Sequence, residues 1–200
     1  LRKLAFLISG STLFLFTAMA SAQQLDVTVG GSTLFATKSS TSSVAFIPPA
    51  ERGGVYPGAS IQYVKDNHFG LNVEGAFRYR EGTYNNYQHF RPVFYDANVV
   101  FAPPVSPKLT ADLMAGVGGE TLIFYSQLGT CYTPSGCHSY VNDNHFLLHF
   151  GGGVRYYFWR DRNLFVRPEA HYYFIPNNYE FHSDSVLRLG ATIGYTFGSR

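Results

Sequence analysis

The chain has 200 residues, room for about one domain, with only 14% charged and 17% aromatic residues and 20 glycines. That composition excludes a disordered chain and a charge-coated soluble domain. The 15 Lys and Arg exceed the 13 Asp and Glu by Arg2 and Lys3 alone, so residues 23–200 hold no basic stripe for nucleic acid.

Residues 1–22 read as an export signal. Arg2 and Lys3 form a positive start, the segments 4–8 and 13–16 are apolar, and Ala20-Ser21-Ala22 offers small residues for cleavage before Gln23. An anchoring helix is the weaker alternative, because Ser9, Gly10, Ser11 and Thr12 interrupt the apolar run. No Cys follows the cleavage site, so a lipid anchor there is not expected. The expected division is a signal peptide, 1–22, and a barrel domain, 23–200. Beyond Gln23 no apolar run approaches the ~18 residues of a spanning helix. A form embedded in lipid must therefore be a closed barrel, in which every backbone group finds a partner.

From there the sequence alternates with a period of two, the mark of strands. Weaker alternation covers 25–36 and 54–64. It is clear in the third segment, where Leu71, Val73, Gly75, Phe77 and Tyr79 oppose Asn72, Glu74, Arg78 and Arg80. Segments 91–102, 109–125 and 145–158 follow. In the seventh, Val166, Pro168, Ala170, Tyr172 and Phe174 oppose Arg167, Glu169, His171 and Tyr173. In the eighth, Leu187, Leu189, Ala191, Ile193, Tyr195 and Phe197 oppose Arg188, Gly190, Thr192, Gly194 and Thr196. Most segments have roughly ten residues or more, the length of a tilted strand crossing a bilayer, against about five or six in soluble proteins.

The links alternate in length: long at 37–53, 81–90, 126–144 and 176–185, short at 65–69, 103–108 and 159–163. Outer-membrane barrels separate long outside loops from tight periplasmic turns in this way. The alternation predicts an all-β fold, an eight-stranded antiparallel up-and-down transmembrane barrel, apolar outside and polar inside. Tyr63, Phe101, Phe158, Trp159 and Phe197 then form an aromatic girdle at the turn end, and Phe35, Tyr79, Tyr125 and Phe174 one at the loop end. Pro57, Pro92 and Pro168 fall inside the strands, where fraying or a bulge near a strand end is expected to absorb them.

The signal segment, the eight alternating segments and the last strand, 186–197, ending on Phe197, resemble the OmpA-like family of small outer-membrane barrels of Gram-negative bacteria. The resemblance is one of pattern and covers the whole mature chain. It implies a location in the cell outer membrane, loops outside and both termini periplasmic, with membrane lipid and lipopolysaccharide as surroundings. The family usually stops at the final aromatic residue, whereas Gly198-Ser199-Arg200 follow here. No peptidoglycan-binding domain follows the barrel, so tethering to the cell wall is not expected.

Eight strands leave an interior just wide enough for side chains. The inward set contains Glu74, Arg78, Asp96, Asp112, Glu120, Arg155, Arg167, Glu169 and Arg188, with Arg80, His149 and His171. Charges of both signs in so narrow a space predict a network of arginine and carboxylate pairs. Such a network either plugs the barrel or gates a narrow channel, and the plug is the favoured reading. Glu169 and His171 are of the kind used in acid–base chemistry, but two apart on a strand they simply share a face. Lipid A deacylases on barrels of this size carry a His-x-Ser motif, whereas His138-Ser139 and His182-Ser183 are adjacent. No enzyme activity, cofactor or metal is expected.

Cys131 and Cys137 bracket a short ring in the third long link, and an oxidising compartment makes a disulfide the expected state. A metal site with His138 and His145 is the weaker alternative. The long links carry Tyr84, Asn85, Asn86, Tyr87, His89, Tyr132, Tyr140, Asn177, Asn178, Tyr179 and Phe181, chemistry suited to an adaptable surface contact. The sequence names no ligand. A monomer is expected.

Overall fold

The computed structural model describes residues 24–36, 51–65, 68–84, 88–125, 140–158, 163–178, 180–181 and 184–198. The export signal at 1–22, Trp159, Cys131 and Cys137, both His-Ser pairs and the tail after Gly198 lie outside the described residues.

Ten strands are present: β1 (Gln24–Ala36), β2 (Tyr56–Val64), β3 (Phe69–Phe77), β4 (Gly82–Tyr84), β5 (Gln88–Phe101), β6 (Pro104–Ser106), β7 (Leu109–Tyr125), β8 (Tyr140–Tyr157), β9 (Leu164–Phe174) and β10 (Ser185–Gly198). The eight long ones pair antiparallel in chain order. The ring closes where β1 pairs β10, from Gln24 opposite Gly198 to Ala36 opposite Val186. Short β4 and β6 prolong hairpins at the two rims, β4 on β5 and β6 on β7.

Side-chain parity follows the alternation. Val29, Leu71, Val73, Val99, Leu113 and Phe150 stand exposed on the outside, while Asp26, Gln62, Asn72, Asp112 and Arg155 are buried inside. This inverts a soluble protein, and an apolar belt of this extent needs an apolar medium.

Three features bear on the sequence reading. First, β8 begins at Tyr140 and not near 145. Asn142 and Asn144 break the apolar pattern, yet their backbones pair β7, and Thr121 Oγ1 donates to Asn144 Oδ1 at 2.7 Å. Second, β3 stops at Phe77. Pairing carries on briefly in the same register, the Arg78 amide donating to Pro92 O at 3.0 Å and the Tyr79 amide to Val55 O at 2.8 Å, before the chain bends at Tyr79 and Arg80. Arg78 is left half-buried at the rim and Arg80 exposed, so the inward assignment of Arg80 does not hold.

Third, of the expected fraying or bulges, the prolines show no bulge, although the β2–β3 ladder stops beside Pro57 and the β8–β9 ladder lapses at Pro168. Pro92 keeps its register opposite Leu122. The β8–β9 ladder runs from Leu148 opposite Phe174 to Gly153 opposite Glu169, then resumes in the same register at Tyr156 opposite Val166. The interruption faces Pro168, which has no N–H to give.

Inside, an apolar layer near the loop end gathers Leu34, Tyr56, Ala76, Phe94, Leu147, Tyr173, Ile175 and Val186. A smaller one, Val64, Val100, Ala102 and Met114, lies near the turn end. The polar band lies between them.

Candidate functional site

The polar band is built by parity. On β8, every second residue from His149 to Arg155 points inward; on β9, Arg167, Glu169, His171 and Tyr173 do so. Nearest the turn end, Arg155 is fully buried and grips Asp112 with two nitrogens, its Nε at 2.6 Å from Oδ2 and its Nη2 on Oδ1. Its Nη1 donates to Asp26 Oδ2 at 2.5 Å. Asp26 also accepts from Thr196 Oγ1 at 2.6 Å and Gln24 Nε2 at 2.8 Å. A guanidinium held in this forked way offsets the large cost of removing three charges from water.

One layer up, Arg167 Nε donates to Glu169 Oε2 at 2.8 Å and its Nη1 to Gln62 Oε1 at 3.2 Å. Gln62 Nε2 reaches Asp112 at 3.4 Å, joining the layers. Beside them, Thr28, Ser60, Glu74, Arg167, Glu169, Arg188 and Thr192 line a small polar cavity with room for about one water.

The third layer joins opposite walls. Arg188 Nη2 donates to Glu74 Oε1, which also accepts from Tyr173 OH at 3.4 Å. His149 Nε2 meets His171 Nδ1 at 2.9 Å, and the two rings stack with centroids 5.0 Å apart. His149 Nδ1 lies 2.6 Å from Asn98 Oδ1 and 3.3 Å from Asp96 Oδ1; His171 Nε2 lies 3.3 Å from Glu169 Oε1. The meeting needs the bare backbone of Gly151, whose absent Cβ would stand 2.7 Å from His149 Nε2 and 3.1 Å from His171 Nδ1.

The structure thus places Glu74, Asp96, Asp112, Arg155, Arg167, Glu169 and Arg188 in one connected interior cluster. It does not bring Arg78 or Glu120 into it. Arg78 lies over the Phe90 ring, 5.3 Å from its centroid. Glu120 stands opposite Phe94 at the loop end, where Asn178 Nδ2 donates to it at 3.3 Å and to Glu51 Oε2 at 3.5 Å. Burial lifts the Glu51 carboxyl from 4.5 to about 7, against the pull of the Asn178 amide and the nearby Arg78 guanidinium.

Sequence reasoning placed Asn72 on the polar face of its segment but left Asp26, Gln62 and Asn98 out of the inward set. Their parity was legible, since each alternates with outward apolar residues, but the inward set held titratable side chains, which passes over amides, and nothing from the faintly alternating first two segments. Glu51 had no such signal, because it stands alone after a Ser- and Thr-rich stretch. Among the described residues no group of three or more His, Cys, Asp and Glu is placed to hold a metal. His145 lies instead 3.0 Å from Glu180.

No family model and no curated protein matches the chain. Solved structures do resemble it. Neisserial surface protein A superposes with a TM-score of 0.60 at 15% identity, over 86% of this chain and 97% of that one. Ail, the attachment invasion locus protein of Yersinia pestis, in complex with the heparin analogue sucrose octasulfate, gives 0.57 at 14% identity, over 87% and 98%. The N-terminal β-barrel domain of Pseudomonas aeruginosa OprF gives 0.55 at 15% identity, over 88% and 98%. A closed ring of eight antiparallel strands, apolar outside and charged within, matched over nearly the full length of these proteins, has the fold of the small OmpA-like outer-membrane barrels.

Proposed function

We propose that the chain serves in the outer membrane of a Gram-negative cell as a structural or surface-contact barrel with a plugged lumen. One observation carries the plug. Phe94 stacks on Tyr173 at 5.2 Å across the loop end, with Leu34, Leu147, Ile175 and Val186 completing a buried apolar layer above the charges. An ion would lose its water there and meet mainly hydrocarbon in return.

The long loops then face the outside and make the contacts, and both termini face the periplasm after residues 1–22 are removed as a signal peptide. In that compartment Cys131 and Cys137 close a disulfide in the third loop. Lipid and lipopolysaccharide surround the belt, and the exposed Arg52 and Arg80 near the loop end suit an anionic sugar surface. No catalytic role is proposed.

A second reading, a narrow or gated channel, is favoured by one feature. Arg167 Nη2 and Arg188 Nε are buried without a hydrogen-bond partner among the described residues, beside the small cavity. The network there has room to rearrange around water.

Single-channel recording of the refolded protein in a planar bilayer separates the two readings, with a heat-shifted gel band to show that the barrel is folded. The expected trace is silent. Discrete conductance steps from folded protein would replace the plug with the channel.

A further inference from the structure

Among the described residues, every carboxylate in the polar band but one lies against a guanidinium. Arg155 holds Asp26 and Asp112, Arg167 holds Glu169, and Arg188 holds Glu74. Asp96, on β5, is buried, and the basic group within ion-pairing reach of it among those residues is His149 of β8, with Nδ1 at 3.3 Å. A neutral imidazole would leave that carboxylate's charge unpaired and away from water, which is costly.

The contacts around the stacked rings of His149 and His171 fix how many hydrogens they carry. Asn98 Nδ2 donates to Asp96 Oδ1 at 2.5 Å and to Asn72 Oδ1 at 3.2 Å, so the amide is held with its oxygen towards His149. His149 Nδ1, 2.6 Å from that oxygen and facing Asp96 as well, must therefore bear a hydrogen. At the far end, His171 Nε2 lies 3.3 Å from Glu169 Oε1, off the line of a full hydrogen bond. Arg167 Nε, donating to Glu169 at 2.8 Å, keeps that group a carboxylate. A lone pair on His171 Nε2 would face its negative charge, so this nitrogen bears a hydrogen too. Between the rings, the 2.9 Å contact of His149 Nε2 with His171 Nδ1 needs one more. Three hydrogens on four ring nitrogens are one beyond what two neutral imidazoles supply.

We propose that His149 and His171 together bind one additional proton, which serves as the counter-charge of Asp96. The groups packed on the rings are mostly acidic. Glu74 of β3 has Oε1 3.5 Å from His171 Nδ1, Asp96 stands on β5, and β9 adds Glu169 beside Tyr173, whose ring lies against both imidazoles. The opposing cation is Arg188 of β10, across the ladder from His171, and its Nη2 is committed to Glu74. Placing the proton on Asp96 instead would leave Asn98 Oδ1 against a ring lone pair at 2.6 Å. The guanidiniums of the band cannot lose their charge, whereas an imidazolium can. The band thus holds a cation that pH can remove, whether or not the lumen conducts.

Nitrogen-15 NMR of the whole refolded barrel in lipid, with labelled histidine, counts these hydrogens directly. At about pH 7.5 an ordinary imidazole, with a value near 6.5, is about nine-tenths neutral and bears one N–H. Spectra of His149→Gln and His171→Gln assign the signals of the two residues. Three of the pair's four ring nitrogens should be protonated in the wild type. Two protonated nitrogens, one on each ring, overturn the proposal. Asp96→Asn keeps the shape of the side chain and removes its charge, so the count should fall from three to two. A count that stays at three overturns Asp96 as the counter-charge. Should that variant fail to give a heat-shifted band, the wild-type count decides alone.

Discussion

The turn-end half and the loop-end half of the interior fill the same narrow tube by opposite means. Towards the turns, Arg155, Asp26, Asp112, Arg167 and Glu169 fill it with paired charge. Towards the loops, Phe94, Tyr173, Leu34 and Ile175 fill it with packed hydrocarbon. The difference lies in what a single lost side chain leaves behind. Charges depend on partners across the tube, so one deletion strands an ion. Hydrocarbon depends on volume, so one deletion leaves a gap.

The comparison breaks most visibly at Arg155. Arg155→Ala abandons Asp26 and Asp112 without their shared cation, and the expected loss is about 3–5 kcal/mol of unfolding free energy. Urea unfolding of the folded barrel in lipid measures it; a loss near zero would mean that water reaches the pair freely. Phe94→Ala should cost somewhat less, about 3 kcal/mol, from cavity and lost packing. The same variant sharpens the contrast in function, because opening the hydrocarbon layer should bring conductance steps to a silent barrel, while Arg155→Ala should not. The smallest effect belongs to the rim, where Glu81 lies 3.5 Å from Arg91 with both partly exposed. Glu81→Ala should change the unfolding free energy by less than about 1 kcal/mol, and a larger change would show that the β4–β5 extension bears on the barrel.

The ring of strands and the inside-out parity were legible in the sequence because both are consequences of a strict period of two, visible in stretches such as 166–174. Strand ends were less legible. A ladder needs only backbone groups, so β8 runs through Asn142 and Asn144, where side-chain pattern alone would end it. The meeting of His149 with His171 could be anticipated only as a shared face, since it depends on the register of β8 against β9 and on Gly151. Least visible was Glu51. Its partners, Glu120 and Asn178, are brought to it by the closure of the ring, and no local pattern marks a residue whose neighbours are that remote.

That closure also governs how the molecule comes into being. The seam pairs the first described strand with the last, Gln24 against Gly198. Until β10 has been synthesised, the nascent sheet has two raw edges, each able to recruit another chain. Pairings of such long range also repay their ordering cost late, which makes folding slow. A growing chain therefore spends its whole synthesis unfinished and adhesive, and needs to be kept apart from its neighbours until the final strand arrives. Losing β10 would remove far more than one strand in eight, since it would return the whole wall to an open sheet.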